Sequence, residues 1–549
     1  MTVSKINCNK LLLFGFFLTV SLSFKLLGAD YYFHPRTGLD ANNGLSPSQA
    51  FQSLAKIDDL NLNPGDRIFL AAGEVFSGSL IIQNFRGTPD QPLIIEPFGT
   101  GKMAKIDAAG QEAGVLIENA SFVKVKKLHI QANGPGDTSG DIPMRVGVLI
   151  RSTRPGVITS NIQLEGLEIE EVFYESAGYQ RGAAEVKTAN GTQKYGWGIR
   201  LIANGENQQI EQVDIKDCKI RNLAHTGIKL TGNNQQSIRN VSITGNLVEK
   251  VGGPGIQMSG VKFVYVAENL VSHSGSADDS RKWGRGSGLW TWGSSMVMIE
   301  KNQFLYANGP GDSAGAHIDF NCDNIILQYN LSAYNAGGFC EILGNNYNCA
   351  YRYNVSINDG HRIKGENGAF QEGKTLWLSG YQGSKKPRKG PVNSYIYNNT
   401  IYLKKDIVSK IAIDNRSKGV LIANNIFHIE GESRLVAGDQ YKSDDEMAGG
   451  LEEVLFKNNL FLHPDNWPKQ ALIQPENSRY GNMEFTNPGG MSLEDYIPQK
   501  VDLLRGIPIP FLPSDQFGLI NGLNLEYDIL GNLLGANPGI GAIKPIEKP

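Results

Sequence analysis

The sequence predicts an all-β fold, a single-stranded right-handed parallel β-helix solenoid with N-terminal and C-terminal caps. Two repeats in the chain predict it. In the first, a polar, charged or tryptophan residue stands between two mostly apolar residues. The second reads Val-x-Ile/Val-x-x-Asn-x-apolar. Alternation with a period of two is typical of strands that bury one face, and regular recurrence of such strands is typical of a solenoid.

The first repeat predicts a column of side chains on one outer face of the solenoid. Its copies are centred on Lys229, Gln257, Trp290, Asp319, Glu341 and Trp377, and Arg200 extends the series one coil earlier. From Lys229 to Trp377 the successive centres lie 22 to 36 residues apart, a spacing typical of single coils with loops of variable length. The column therefore predicts a sugar-binding cleft with two carboxylates at its centre.

The second repeat predicts an asparagine at one turn of each coil. Its copies contain Asn246, Asn269, Asn302, Asn330, Asn354, Asn399, Asn425 and Asn459, and Cys218 occupies the equivalent position one coil earlier. We expect the stacked amides to hydrogen-bond from one coil to the next. Some of these residues stand in Asn-x-Ser/Thr glycosylation motifs, but recurrence at every turn favours a structural role.

Four regions follow from these patterns. Residues 1–29 are typical of a signal peptide, with Lys5 and Lys10 before the apolar run 11–24 and a cleavage site near Ala29; an uncleaved membrane anchor is the alternative. Residues 30–115 are expected to form an N-terminal cap and the first coils, and 116–480 the parallel β-helix. Residues 481–549, where the asparagine repeat is lost and proline and glycine increase, form the C-terminal cap.

Composition restricts the partners and the compartment. Only 19% of the 549 residues are charged and the net charge is −3, so nucleic acid is excluded as a partner. No later segment has the length and apolarity of a membrane helix. We expect a monomer that is not stably inserted in a membrane and is secreted or periplasmic after signal peptide cleavage.

The cysteines do not form a disulfide framework. The four that remain after cleavage are too few for one, and Cys340 occupies an inward position of the ladder. Pairing of Cys322 with Cys349 stays open. No close Cys/His spacing predicts a zinc site, and no residue is assigned to a metal.

Three stretches resemble the secreted pectin-lyase-like β-helix superfamily of polysaccharide-degrading enzymes. They are the opening 31–44 with Pro64-Gly65-Asp66, the central 317–339, and the closing 528–542. The superfamily holds polysaccharide lyases, glycoside hydrolases and esterases, so the resemblance implies the fold and a role on polysaccharides but no single reaction. Arg362-Ile363-Lys364 resembles the Arg-Ile-Lys of polygalacturonases, but the paired aspartates of that family are missing, so the match is attributed to chance.

Asp319 and Glu341 are the predicted catalytic pair. Equivalent positions in successive coils are about 4.8 Å apart, which suits the two carboxyls that glycoside hydrolysis requires. Two like charges at this distance also raise one pKa, which keeps that carboxyl protonated as the acid. Hydrolysis of this kind needs no cofactor, although oxygen-rich pairs also suit calcium.

The predicted substrate-binding residues surround this pair. His317 and Asn321 lie two residues to either side of Asp319 and share its outward face. Long loops, 272–286 and 358–374, flank the carboxylate rungs. The remaining candidates are Lys229, Gln257, Trp290, Trp292 and Trp377 on the column, with the tryptophans as platforms for sugar rings, and His361 and Arg362 in the second long loop.

The predicted function is cleavage of the glycosidic bonds of a polysaccharide or oligosaccharide by a secreted glycoside hydrolase. The alternative is a polysaccharide lyase acting by β-elimination on a uronate-containing glycan, with or without calcium. Lys229, Arg200, Arg362 or Lys364 would then serve as base or as clamp for the carboxylate. The third hypothesis is a β-helix that binds glycans without cleaving them.

Overall fold

The computed structural model describes residues 28–135, 144–188, 191–192, 194–276, 278–436, 453–467, 475–513, 515, 518–535 and 538–545. The predicted signal peptide therefore lies almost wholly outside the described residues. Within them the chain forms three long sheets in which every paired strand is parallel to its neighbours. The fold is a right-handed parallel β-helix, as predicted.

Each complete coil contributes one strand to each sheet, and the coils at the two ends contribute fewer. Sheet 1 contains Asp30–Phe33, Arg67–Ala71, Leu93–Phe98, Ser121–Lys126, Ile158–Glu165, Gln209–Lys216, Ile238–Thr244, Val261–Ala267, Ser295–Glu300, Asp323–Gln328, Tyr347–Arg352, Val392–Tyr397, Lys418–Ala423, Val454–Lys457 and Pro475–Glu476. Sheet 2 contains Leu80–Gln83, Ala113–Glu118, Arg145–Arg151, Gly196–Ala203, Ile228–Gly232, Ile256–Ser259, Leu289–Trp292, Ala316–Ile318, Gly338–Ile342, Lys374–Leu378, Ser409–Ile413 and Ser433–Leu435.

Sheet 3 contains Val75–Ser77, Ala104–Asp107, Leu128–Asn133, Glu168–Phe173, Lys219–Leu223, Leu247–Val251, Leu270–Ser272, Gln303–Leu305, Leu331–Ala333, Val355–Ile357, Thr400–Leu403, Ile426–Ile429, Leu460–Phe461 and Arg479–Tyr480. Short helices lie outside the sheets: an α-helix at Ala183–Val186 and 3-10 helices at Pro47–Gln49, Leu54–Asp59, Pro464–Asn466 and Leu493–Tyr496. None of the described helices is long and apolar enough to cross a membrane.

The asparagine repeat forms the predicted ladder. The Nδ2 of Asn302 donates to the Oδ1 of Asn330 at 3.0 Å, and the Nδ2 of Asn330 donates to the Oδ1 of Asn354 at 3.0 Å. The same bonds run from Asn246 through to Asn459, and Cys218 continues the series because its backbone N–H donates to the Oδ1 of Asn246.

Each copy of this repeat spans two strands rather than the single strand expected. The residue before the asparagine has a positive φ, as in Gly245 (66°) and Lys301 (55°), and this bends the chain from sheet 1 into sheet 3. The asparagine side chain then satisfies backbone groups that the bend leaves without ladder partners.

The interior is filled by the inward-facing residues of all three sheets, such as Ile243 of sheet 1, Ile228 of sheet 2 and Val248 of sheet 3, which are fully buried. The four described cysteines, Cys218, Cys322, Cys340 and Cys349, are buried free thiols. Cys322 and Cys349 are therefore not joined. Burial raises the pKa of each thiol, which keeps it protonated and unreactive.

Candidate active site

A cavity of about 510 Å³ opens on the outer face of sheet 2. This is within the size range of small-molecule sites, about 300–1,000 Å³. Of the residues predicted from the sequence, Asp319, Glu341, His317, Lys229, Gln257, Trp290, Trp292 and Trp377 line it. The structure thus brings together both predicted catalytic carboxyls and six of the predicted binding residues.

The predicted column is wrong at one rung. Trp290 pairs with His317 and Ile318 pairs with Ile342, so His317, not Asp319, stands beside Glu341. Asp319 lies two residues further along on the same outward face. The inward residues of this strand are Ala316 and Ile318, because Phe320 packs outside against Trp292 and Tyr381 instead of entering the core.

The cavity contains a third carboxyl, Asp312, which the sequence analysis missed. Its side chain is 27% exposed and forms a bidentate ion pair with Arg285, with Nε at 2.8 Å and Nη2 at 3.0 Å from its two oxygens. Asp312 precedes the strand Ala316–Ile318 in the turn 309–313, where no strand alternation points to it. The sequence feature that could have indicated Asp312 is its position directly after Gly309-Pro310-Gly311 and shortly before a strand of the column.

The two predicted long loops position Asp312. Arg285, at the end of the first loop, also donates from Nη1 to the carbonyls of Val186, Lys187 and Thr188, at 3.1–3.3 Å. Gln371, in the second loop, accepts a hydrogen bond from the backbone N–H of Asp312. The loops therefore converge on the carboxylate rungs, as expected, and they fix the orientation of the Asp312 backbone and side chain.

Arg362 holds the backbone around Asp312 and does not contact the cavity where a ligand would bind. Its guanidinium donates to the carbonyls of Gln371 at 2.8 Å, Asp312 at 2.9 Å and Gly309 at 3.1 Å. It does not line the cavity. Arg362 was predicted to bind substrate because it lies in the second long loop. A buried arginine that holds backbone carbonyls has no distinctive local pattern, so its structural role could not be predicted from the sequence.

Two other candidates lie outside the cavity lining. Asn321 occupies the turn after Asp319 with a φ of 65°, and its Oδ1 accepts a hydrogen bond from Asn345 at 2.7 Å. His361 is exposed, and its Nδ1 contacts the carbonyl of Asn358 at 3.3 Å. The strand ends before Asn321, so the alternation that assigned it to the outward face does not reach it.

The three carboxyls of the cavity have different proton affinities. Burial alone would raise the pKa of Asp312, but the charge and hydrogen bonds of Arg285 outweigh it and the pKa lies below its usual value. Burial raises the pKa of Asp319 to about 7, against the opposing charge of His317. Burial and the charge of Asp312 also raise the pKa of Glu341. Near neutral pH the site therefore holds an ionised carboxylate, Asp312, beside Asp319, which is near the midpoint of its titration, and Glu341, whose pKa is raised.

His317 lies between these carboxyls and Trp290. Its Nδ1 is 3.0 Å from the Oγ of Ser287, and its ring stacks on that of Trp290 with the centroids 5.8 Å apart. Burial lowers its pKa, although the charges of Asp319 and Asp312 oppose the change. The ring is thus held in one orientation and is neutral near pH 7.

Aromatic residues form much of the cavity wall. The indole rings of Trp290 and Trp292 are partly exposed, while Trp377 is only 6% exposed and carries the Nζ of Lys374 at 3.9 Å from its ring centroid. Flat, partly exposed indoles suit stacking against the apolar face of a sugar ring. Trp377 is packed more deeply than Trp290 and Trp292 and is therefore less suited to act as a platform.

No group of three or more His, Cys, Asp or Glu side chains arranged to hold a metal ion occurs among the described residues. The expectation about calcium stays a prediction.

The chain resembles known proteins in fold and in part of its sequence. Residues 197–373 match the family model described as a right handed beta helix region. A lacto-N-biosidase from Bifidobacterium longum subsp. longum is 24% identical over 632 residues, covering 94% of this chain and 36% of that protein. The chain therefore spans about a third of the length of this relative.

Two solved structures share the architecture. The GH136 lacto-N-biosidase from Eubacterium ramulus has a TM-score of 0.53 and 19% identity, covering 75% of this chain and 67% of that one. XylC in complex with xylose has a TM-score of 0.50 and 11% identity, covering 94% of this chain and 99% of that one. At these identities the likeness establishes the parallel β-helix and nothing finer.

Proposed function

We propose that this protein is a glycoside hydrolase that cleaves an oligosaccharide or polysaccharide in the cavity of sheet 2. One observation carries the proposal: an ionised carboxylate, Asp312, shares the cavity with a carboxyl, Asp319, whose pKa is raised to about 7. Glycoside hydrolysis requires this combination, a proton donor and a carboxylate that acts as nucleophile or base. The similarity to a lacto-N-biosidase supports a carbohydrate substrate.

In this mechanism Asp319 donates its proton to the glycosidic oxygen as the bond breaks. Asp312, kept ionised by Arg285, either attacks the anomeric carbon or removes a proton from the attacking water. Separations of about 5 Å between the two carboxyls favour retention and about 6.5–9.5 Å favour inversion. Glu341, the partner expected from the sequence, has a raised pKa and is therefore less suited than Asp312 to act as nucleophile or base, so it is only the second candidate for the partner of Asp319.

The neighbouring residues support this assignment of roles. Arg285 spreads its positive charge next to Asp312 without transferring a proton, because guanidinium stays charged under all ordinary conditions. His317, neutral and bonded to Ser287, offers a hydrogen bond to a sugar hydroxyl or to Asp319. Trp290 and Trp292 provide the faces on which sugar rings stack.

Amide substitutions test the assignment. Asp312→Asn and Asp319→Asn each remove one reacting carboxyl and are expected to lower kcat by about 10²–10⁴-fold, the usual contribution of such groups. Glu341→Gln distinguishes the two candidate partners, since it lowers kcat comparably only if Glu341 takes part. Asp214→Asn, an exposed aspartate on sheet 1, is the matched control. Full activity in Asp319→Asn, with its melting temperature unchanged, contradicts the proposal.

A lyase is the second candidate because of Lys229. Burial and the charge of Arg200 lower the pKa of this lysine to about 7, which is near the value that suits a general base. β-Elimination leaves an unsaturated sugar that absorbs ultraviolet light, whereas hydrolysis leaves an ordinary reducing end. Absence of any product, with binding retained, would indicate the third function, glycan binding without cleavage.

Two further parts of the proposal concern conditions of action. We propose that the chain acts after export, which the predicted signal peptide supports, and that hydrolysis proceeds without a metal. The compartment is tested by locating the protein in cell fractions. A calcium requirement is tested by treating the enzyme with a chelator: retained activity agrees with carboxyl chemistry alone, and loss restored by calcium contradicts it.

A further inference from the structure

One end of the cavity carries two cationic side chains. Arg200 and Lys229 lie on neighbouring strands of sheet 2 in direct register, which places their Cα atoms about 4.8 Å apart. Both side chains line the cavity, and each residue is 5% exposed. The two basic residues are therefore a buried part of the cavity wall and do not lie on the exposed surface.

Acidic partners do not compensate for Lys229. Within the described chain it makes no ion pair and its Nζ donates no hydrogen bond, and the charged group that acts on it is Arg200. The next rung contributes the neutral Gln257.

The arrangement is costly in the resting protein. Burial disfavours a charged ammonium, and a like charge beside it adds to the cost. Arg200 is nevertheless held in place, since its guanidinium lies 4.3 Å from the ring of Trp197 and its Nη1 is 3.2 Å from the Sδ of Met144. Two buried basic side chains that face a cavity, one of them held in place, are complementary to an anion.

We propose that Arg200 and Lys229 bind an anionic group, a carboxylate or a sulfate ester, carried by the glycan substrate. This inference rests on the proposed hydrolase function and names its substrate class. Lys229 stands three strands before His317, with Gln257 and Trp290 between them, so the two ends of the cavity are about 14 Å apart. The anionic group therefore belongs to a sugar residue other than the one cleaved at Asp312 and Asp319.

Binding measurements test the inference independently of turnover. The probes are D-glucuronate, glucose 6-sulfate and neutral glucose, titrated into the full chain by calorimetry or ligand-observed nuclear magnetic resonance. We expect at least one anionic probe to bind about tenfold more tightly than glucose, because charge-assisted hydrogen bonds to buried cations are strong. Preference for glucuronate indicates a carboxylate, preference for the sulfate indicates a sulfate ester, and binding of both indicates a site for either.

Substitution of the lysine links the preference to this site. Lys229→Met keeps the length of the side chain and removes its charge, so it should abolish the preference for the anionic probes. The control, Lys418→Met, removes an exposed lysine of sheet 1 and should leave the preference intact. Because Lys229→Met removes a buried, uncompensated charge, it should also fold at least as stably as the unsubstituted protein.

Equal binding of all three probes, no measurable binding of the anionic probes, or a preference that persists in Lys229→Met overturns the inference. None of these outcomes affects the carboxyl assignment, because they are measured without cleavage. Conversely, an Asp319→Asn protein that stays fully active would refute the hydrolase mechanism while leaving the binding results intact.

Discussion

At the scale of the residue, the surroundings of three carboxyls give them different pKa values, lowered for Asp312 and raised for Asp319 and Glu341. Arg285 determines the protonation state of Asp312, and burial determines that of Asp319. Asp319 and Glu341 could be predicted from the sequence because both stand in stretches where apolar and polar residues alternate. Asp312 could not, since the residue acquires its role only when Arg285 and Gln371 reach it from separate loops.

The ion pair with Arg285 predicts a change in the pH dependence of activity. Hydrolysis requires ionised Asp312 and protonated Asp319, so activity should fall as the pH rises through about 7, where Asp319 loses its proton. Arg285→Gln removes the charge that keeps the pKa of Asp312 low. The acid limb of the kcat/KM profile should therefore move to higher pH, and kcat should fall.

The control for this experiment is Arg434→Gln. Arg434 is an exposed arginine whose ion pair is with Glu432 on the surface, so its profile should match that of the unsubstituted enzyme. An Arg285→Gln enzyme whose acid limb does not move would show that Asp312 is not the ionised group that catalysis requires.

At the scale of the element, the asparagine ladder and the alternating strands were predictable because each is a local pattern repeated coil after coil. The register of one strand was not. Ala316–Ile318 is short, and His317 and Asp319 each stand between two apolar residues, so alternation alone does not show which of the two is in register with Glu341. The packing of Phe320 on Trp292 and Tyr381 decides it, and that contact joins three coils.

The ladder predicts a large loss of stability from a single substitution. The Nδ2 of Asn330 donates to the carbonyl of Ile299 and to Asn354, and its Oδ1 accepts from the backbone and side chain of Asn302. Asn330→Ala leaves these buried groups without partners, so the free energy of unfolding should fall by about 2–4 kcal/mol. Denaturant unfolding measures it.

The comparison is Asn61→Ala, in which an exposed asparagine is removed from a loop. That variant should differ from the unsubstituted protein by less than about 0.5 kcal/mol. A similarly small effect in Asn330→Ala would mean that the asparagine hydrogen bonds form because the turns bring these side chains together, and that they do not stabilise the turns.

At the scale of the whole molecule, the C-terminal region packs along the outside of the coils as well as following the last of them. Leu512, Leu519 and Leu523 pack on Tyr395 and Tyr397 of sheet 1. The hydroxyl of Tyr397 donates to the carbonyl of Leu523, and Arg352 donates to that of Gly522 at 2.6 Å. The segment thus covers apolar surface on several coils at once, a long-range arrangement that its proline and glycine content did not reveal.

Removal of residues 507–549 is therefore expected to destabilise the solenoid. The deletion removes Leu512, Leu519 and Leu523, whose burial contributes about 1.5–3 kcal/mol each, and the newly exposed Tyr395 and Tyr397 should bind a hydrophobic dye. The melting temperature should fall by several degrees. Leu533→Ser, a change at a residue that is 63% exposed in the same region, should leave it unaltered. An unchanged melting temperature after the truncation would show that the coils do not need the C-terminal segment for their stability.

The central claim, hydrolysis by the carboxyls of the sheet 2 cavity, is tested most directly by product analysis in water labelled with heavy oxygen. The full chain is incubated with a panel of neutral and anionic oligosaccharides, and the products are examined by mass spectrometry beside those of Asp319→Asn. The account predicts a labelled reducing end, no unsaturated sugar, and loss of the product in Asp319→Asn. An unlabelled, unsaturated product, or a labelled product formed equally well by Asp319→Asn, would contradict it.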